Sequence, residues 1–401
     1  MMLPVTTVTL VVILLLLAHA AHAQVLTGLD VLEAQQFKPL AGRRVGVITN
    51  HTGVNREGKH LIQLLTSAAG VMVVKLFSPE HGLYGEKDEK VGDGVDAKSG
   101  LPVFSLYGKV RTPTPQMLAD IDALVFDMQD VGARYYTYIA TMGNCMKAAA
   151  AAKVRFVVLD RPNPVTGLIV DGPNPDAEHV GKFTCFGPFP VSHGMTIGEL
   201  ATLFNSEYGI GCDLQVIKMQ GWNRRMWWDD TGVKWINPSP NLRSPTQALL
   251  YLSIGMMEAS NVSVGRGTDF PFECFGAPWA DSTKLAEALS QQNLPGLSFA
   301  PFDFTPTNTP HKIHLDQLCH GVKVTVTDRN AVKPVLSGLI MAWTLERLYE
   351  RDYNYDAMLN LMMNQHIRDE VKKMPDPHAA EGLWKDDVAA FRRLREKYLL
   401  Y

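Results

Sequence analysis

The strongest constraint on this chain is a set of short, continuous apolar runs that each end abruptly in polar residues. Arg44-Val45-Gly46-Val47-Ile48-Thr49 runs into Asn50-His51, and Val71-Met72-Val73-Val74-Lys75-Leu76-Phe77 into Ser78-Pro79-Glu80-His81-Gly82. Ala123-Leu124-Val125-Phe126 runs into Asp127-Met128-Gln129-Asp130, and Arg155-Phe156-Val157-Val158-Leu159 into Asp160-Arg161-Pro162-Asn163-Pro164. Helix-like stretches at about 59–69 and 137–152 separate them. Val- and Ile-rich runs without alternation suit strands buried on both faces, and their alternation with helices builds βαβ units. The expected fold is therefore α/β, with a doubly wound parallel sheet over 24–245. A helix after Met195-Thr196-Ile197-Gly198-Glu199-Leu200 and a strand near Leu214–Val216 extend it. From residue 246 the pattern changes to a smaller α+β domain reaching 401, with a strand at 322–327 and helices at 335–350, 355–366 and 385–399.

Residues 5–18 form an apolar run followed by Ala18-His19-Ala20 and Ala21-His22-Ala23. A short run before an A-x-A site reads as a secretory signal peptide, 1–23, cleaved after Ala23. The run falls short of the ~20 residues of a comfortable span, so no lasting membrane insertion is expected. The product would be periplasmic or secreted. A net charge of −3 without any Lys/Arg run offers nucleic acid no electrostatic footprint. Five scattered cysteines leave at least one thiol free, and none has C-x-x-C spacing.

In open parallel sheets ligands bind beyond the carboxyl ends of the strands. Four strands ending in polar residues therefore point to one crevice. Glu80 is its sharpest candidate, a carboxylate between Pro79 and a tight turn at His81-Gly82 that suits a general acid. Asp127, Asp130 and Glu273 are candidates for a second carboxylate. Asn50, His51, His81, Tyr136 and Asn241 are candidate substrate contacts, with Arg134, Arg161 and Arg266 available for an anionic group. Trp222, Trp227, Trp228 and Trp235 crowd a Pro-rich loop of the kind that lines sugar clefts, although packing of the loop itself is the commoner fate. No G-x-G-x-x-G, Walker A, H-E-x-x-H or G-x-S-x-G pattern is present. No cofactor is expected, and His51, His81, His193 and Asp127 match no metal-ligand spacing.

Together, Val47-Ile48-Thr49-Asn50-His51-Thr52-Gly53, Ser78-Pro79-Glu80-His81-Gly82, Asp127 through Thr137, Asp160-Arg161-Pro162-Asn163-Pro164, Gly265-Arg266-Gly267-Thr268 and Pro271-Phe272-Glu273 resemble the NamZ-type exo-β-N-acetylmuramidases, glycoside hydrolase family 171, formerly a domain of unknown function. The resemblance spans nearly all of the mature chain. It implies removal of terminal non-reducing N-acetylmuramic acid (MurNAc) from peptidoglycan fragments such as MurNAc-GlcNAc, a Rossmann-like N-terminal domain, a smaller C-terminal domain with a cleft between them, and Glu80 as the catalytic Glu. MurNAc carries a lactyl carboxylate, which Arg134, Arg161, Arg243 or Arg266 can bind. The partner of Glu80 stays open: a second carboxyl group, or the substrate's own acetamide. Two alternatives compete. One is a non-catalytic saccharide-binding protein. The other is a peptidoglycan esterase or amidase, which would need Ser78 or Cys274 as nucleophile.

Overall fold

Seven strands form the first sheet: β1 (Arg44–Thr49), β2 (Met72–Ser78), β3 (Gly94–Val95), β4 (Pro102–Ser105), β5 (Ala123–Asp127), β6 (Arg155–Leu159) and β7 (Leu214–Ile217). They are seen in a computed structural model describing residues 24–85 and 92–401. The expected signal peptide lies outside the described residues. The spatial order is β3-β4-β2-β1-β5-β6-β7, and every pairing is parallel except β3–β4. The order reverses at β1, so the crevice of this α/β sheet opens beyond the ends of β1 and its neighbours.

Alternate side chains of each strand enter different layers. Val45, Val47, Val125, Val157 and Leu159 pack under the helices Gly28–Ala34 and Leu61–Ser67. Ile48, Leu124, Phe126, Phe156 and Val158 face the helices Tyr138–Ala152 and Ile197–Glu207. Burial on both faces is why these strands read as unbroken apolar runs. Gly28 lies where only glycine fits, because a Cβ there would meet the Asp160 backbone nitrogen at 2.3 Å.

The second sheet has the order β8 (Cys274–Ala277), β10 (Cys319–Val326), β9 (Leu297–Phe304), all antiparallel. The alternating pattern at 322–327 located β10. β9 escaped notice because Pro301 interrupts it, which is tolerated there because β9 is an edge strand. The expected helix 355–366 is instead broken. Met363 takes a left-handed φ of 57°, and Asn364 caps a new helix, Gln365–Lys373, by accepting from the Ile367 N–H. The apolar layer on β5 and β6 continues without interruption through the helix Pro245–Ile254 into Pro334–Tyr349, so the two sheets share one core.

Candidate active site

Beyond the end of β2 the chain turns sharply at Pro79-Glu80-His81-Gly82. The Gly82 N–H donates to the Pro79 carbonyl at 3.1 Å, and His81 adopts a left-handed φ of 69°. The turn presents Glu80 to Thr137, whose hydroxyl donates to the Glu80 Oε2 at 2.8 Å. Thr137 immediately precedes the helix Tyr138–Ala152, so two elements fix this carboxylate.

Glu80 lines a cavity of about 820 Å³. The first domain contributes Glu80, His81, Tyr135, Tyr136 and Thr137 to its wall; the second contributes Tyr251, Glu258, Arg266, Phe272, His311 and Lys312. Aromatic rings hold the wall together. Tyr136 packs edge-on against Tyr138 at 4.7 Å, Tyr251 against Phe272 at 4.9 Å, and the Tyr135 hydroxyl donates to the Tyr251 carbonyl at 2.6 Å. Burial pushes the phenols of Tyr136 and Tyr251 well above the ordinary tyrosine value, and the charge of Glu80 adds to the effect on both. These hydroxyls stay protonated and can donate.

The second domain's part of the lining carries a charged cluster. Arg266 Nε pairs with Glu258 Oε1, the same oxygen lies 3.3 Å from His311 Nε2, and the Arg266 guanidinium sits 5.5 Å over the Phe272 ring. Sequence reading found Arg266 but missed Glu258, His311 and Lys312. A signal for Glu258 existed: it is a lone carboxylate inside the apolar stretch Ile254-Gly255-Met256-Met257-Glu258-Ala259.

The four strand ends do not share this cavity. Only Glu80-His81 reaches it; the other polar ends bond to other parts of the protein or border other cavities. Asp127 is fully buried, and both its oxygens accept from Arg161, Oδ1 from Nε at 2.5 Å and Oδ2 from Nη2 at 2.9 Å. Asp130 Oδ2 accepts from the Gly132 N–H at 2.8 Å and lies 3.3 Å from His193 Nε2. Asn50 donates to the Tyr138 hydroxyl at 2.9 Å, and that hydroxyl donates to the Pro238 carbonyl at 2.8 Å. Glu273 faces away from the cavity lining, accepting from Gln247 at 2.8 Å with Lys323 Nζ at 3.5 Å. A buried carboxylate must find donors, and Asp127 found both of its own in Arg161.

Arg134 is also not in the cleft. It is fully buried and donates to the carbonyls of Pro173 and Phe189 at 2.8 Å each, and to that of Met362. His51 lines a neighbouring cavity of about 590 Å³ with His60, Tyr84, Asp96 and Lys98. Arg161 borders a third, of about 180 Å³, with Gln129. Asn241 is buried beside Ser239 and Leu242, which do line the large cavity. The tryptophans do not line it either: Trp222, Trp227 and Trp228 are buried, and Trp228 packs edge-on against Trp235 at 5.0 Å. Ser78 is buried without a hydrogen-bond partner, and burial pushes the Cys274 thiol up to about 12, so neither is an activated nucleophile. Among the described residues no three His, Cys, Asp or Glu side chains are disposed to hold a metal.

Fold and site together define a two-domain α/β protein with a roomy cleft lined by a carboxylate from each domain and by aromatic rings. The chain belongs to the exo-β-N-acetylmuramidase NamZ family, whose N-terminal model matches residues 45–246 and whose C-terminal model matches 249–401. The peptidoglycan β-N-acetylmuramidase NamZ of Bacillus subtilis (strain 168) is 41% identical over 387 residues, 95% of this chain and 92% of that protein. Two crystal structures of DUF1343 family proteins from Bacteroides fragilis NCTC 9343 share the fold. One superposes with a TM-score of 0.86 at 36% identity, the other with 0.76 at 31%, and each match covers 94% of this chain and 99% of the other.

Proposed function

We propose that this chain is an exported, exo-acting glycosidase that releases terminal non-reducing MurNAc from peptidoglycan fragments, with Glu80 as the general acid. The observation that carries the reading is Glu80 itself: a carboxylate fixed by a tight turn and by Thr137, on the wall of a cavity large enough for a sugar. The protonated tyrosines beside it can donate to ring hydroxyls or to the acetamide. Lys312, in the same lining, gives the cavity a cation for the lactyl carboxylate. The close relationship to the Bacillus subtilis peptidoglycan β-N-acetylmuramidase supports the substrate class, and the A-x-A site at 21–23 supports export.

In this mechanism Glu80 delivers its proton to the glycosidic oxygen as the bond to C1 breaks. Loss of a positioned general acid costs about 10²–10⁴-fold in rate. Glu80→Gln keeps the shape and the Thr137 contact but has no acidic proton to give. Release of 4-nitrophenol is a poor probe of a missing acid because that leaving group is already stable. The assay is therefore MurNAc release from MurNAc-GlcNAc, with binding followed separately. Unchanged turnover by Glu80→Gln would remove Glu80 from the mechanism. Binding of the disaccharide without any product from the wild-type chain would favour a saccharide-binding protein.

A further inference from the structure

Glycosidases of the commonest type pair two carboxyl groups across the scissile bond. The acidic side chains flagged from sequence as partners for Glu80 are all turned elsewhere: Asp127 to Arg161, Asp130 to the Gly132 N–H and His193, and Glu273 to Gln247 and Lys323. Among the described residues lining the large cavity only one other carboxylate appears, Glu258. It comes from the second domain, in the 3₁₀ turn Gly255–Ala259 that continues the helix Pro245–Ile254. Tyr251, on that helix, lines the same cavity as Glu80 and Glu258.

We infer that Glu258 is the second catalytic carboxylate and acts as the general base on the ring face opposite Glu80; the inference rests on the glycosidase reading above. Its surroundings favour a base over a nucleophile. Arg266 and His311 both engage Oε1, so the group is pinned from the side. A pinned carboxylate is poorly placed to move onto C1, whereas a base works through a water and forms no bond to carbon. The step balances as one hydrolysis. The C1–O bond breaks as the leaving oxygen takes the proton of Glu80, and a water oxygen bonds to C1 from the other face while its proton passes to Glu258. A β-linked MurNAc then leaves as the α anomer.

The test uses the mature chain and MurNAc-GlcNAc. Proton NMR at early times reads the anomer released by the wild-type protein: α first is the expected result, and β first overturns the assignment. In Glu258→Gln, turnover falls by at least about 100-fold while KM stays within a few-fold. In Glu258→Ala, azide added as a small external nucleophile restores turnover and yields α-MurNAc azide. Near wild-type turnover of Glu258→Gln, or a folded Glu258→Ala that azide does not rescue, overturns the assignment. If Glu258→Ala does not fold, as its melting curve would reveal, the anomer and the Gln variant still decide. A wild-type chain that releases no MurNAc counts against the glycosidase reading itself and takes this inference with it, whereas the variant outcomes bear on Glu258 alone.

Discussion

Replacing Arg134 by Met should destabilise the protein without weakening substrate binding. The guanidinium is fully buried and joins three separate segments through the carbonyls of Pro173, Phe189 and Met362. Among the described residues no carboxylate pairs with it; burial lowers Arg134 from the ordinary 12.5 to about 10, and carbonyl dipoles face its charge. Hydrogen bonds to charged groups contribute about 1.5–3 kcal/mol each. Removing three forfeits about 5–9 kcal/mol gross. Relief from burying the cation offsets about half of this, leaving a net loss of about 4 kcal/mol, within the range for breaking a buried charged contact. The shared core makes one cooperative transition the expectation. At about 2.1 cal/mol/K per residue, the roughly 380 residues from Gln24 onward have an unfolding entropy near 0.8 kcal/mol/K. The melting midpoint of Arg134→Met should therefore fall by about 5 °C. Calorimetry measures that shift, and initial rates below the transition measure KM, which should stay within about twofold because Arg134 does not line the cavity. An unchanged midpoint together with a KM raised tenfold or more would refute the reasoning, since it would mean that Arg134 reaches the substrate.

Two further outcomes concern pH and thiol chemistry. His51 and His60 are both held below the ordinary 6.5, chiefly by burial. The unfolded chain then takes up protons that the folded chain refuses, so their contribution is present above pH 6.5 and is lost as pH falls from there through their depressed values. A plot of melting midpoint against pH should be shallower below 6.5 in His51→Gln/His60→Gln than in the wild type, and identical slopes would contradict the assignment. All five cysteines are free and buried, and burial pushes Cys212 up to about 11 and Cys319 to about 12. Ellman's reagent should find five thiols after unfolding and almost none within minutes in the native protein; a fast native thiol would show that one of these sites is open.

The sequence by itself determined the framework. Apolar runs located β1, β2, β5 and β6 because a doubly covered parallel strand needs apolar side chains on both faces, a requirement met locally along the chain. It also located Glu80, since Pro79 and Gly82 are local turn chemistry. Only the tertiary structure decided which polar residues would be available to a ligand. Asp127 and Arg161 look like site residues in isolation, but 34 residues apart they neutralise each other in the core. Arg134 looks like an anion binder until Met362, 228 residues on, supplies its carbonyl. Glu258 gave little local sign of function, and folding brought it to the cavity that Glu80 enters from the other domain. Secondary structure follows from neighbours in sequence. Whether a charge is satisfied or left facing a cleft follows from partners that only the packed chain brings together.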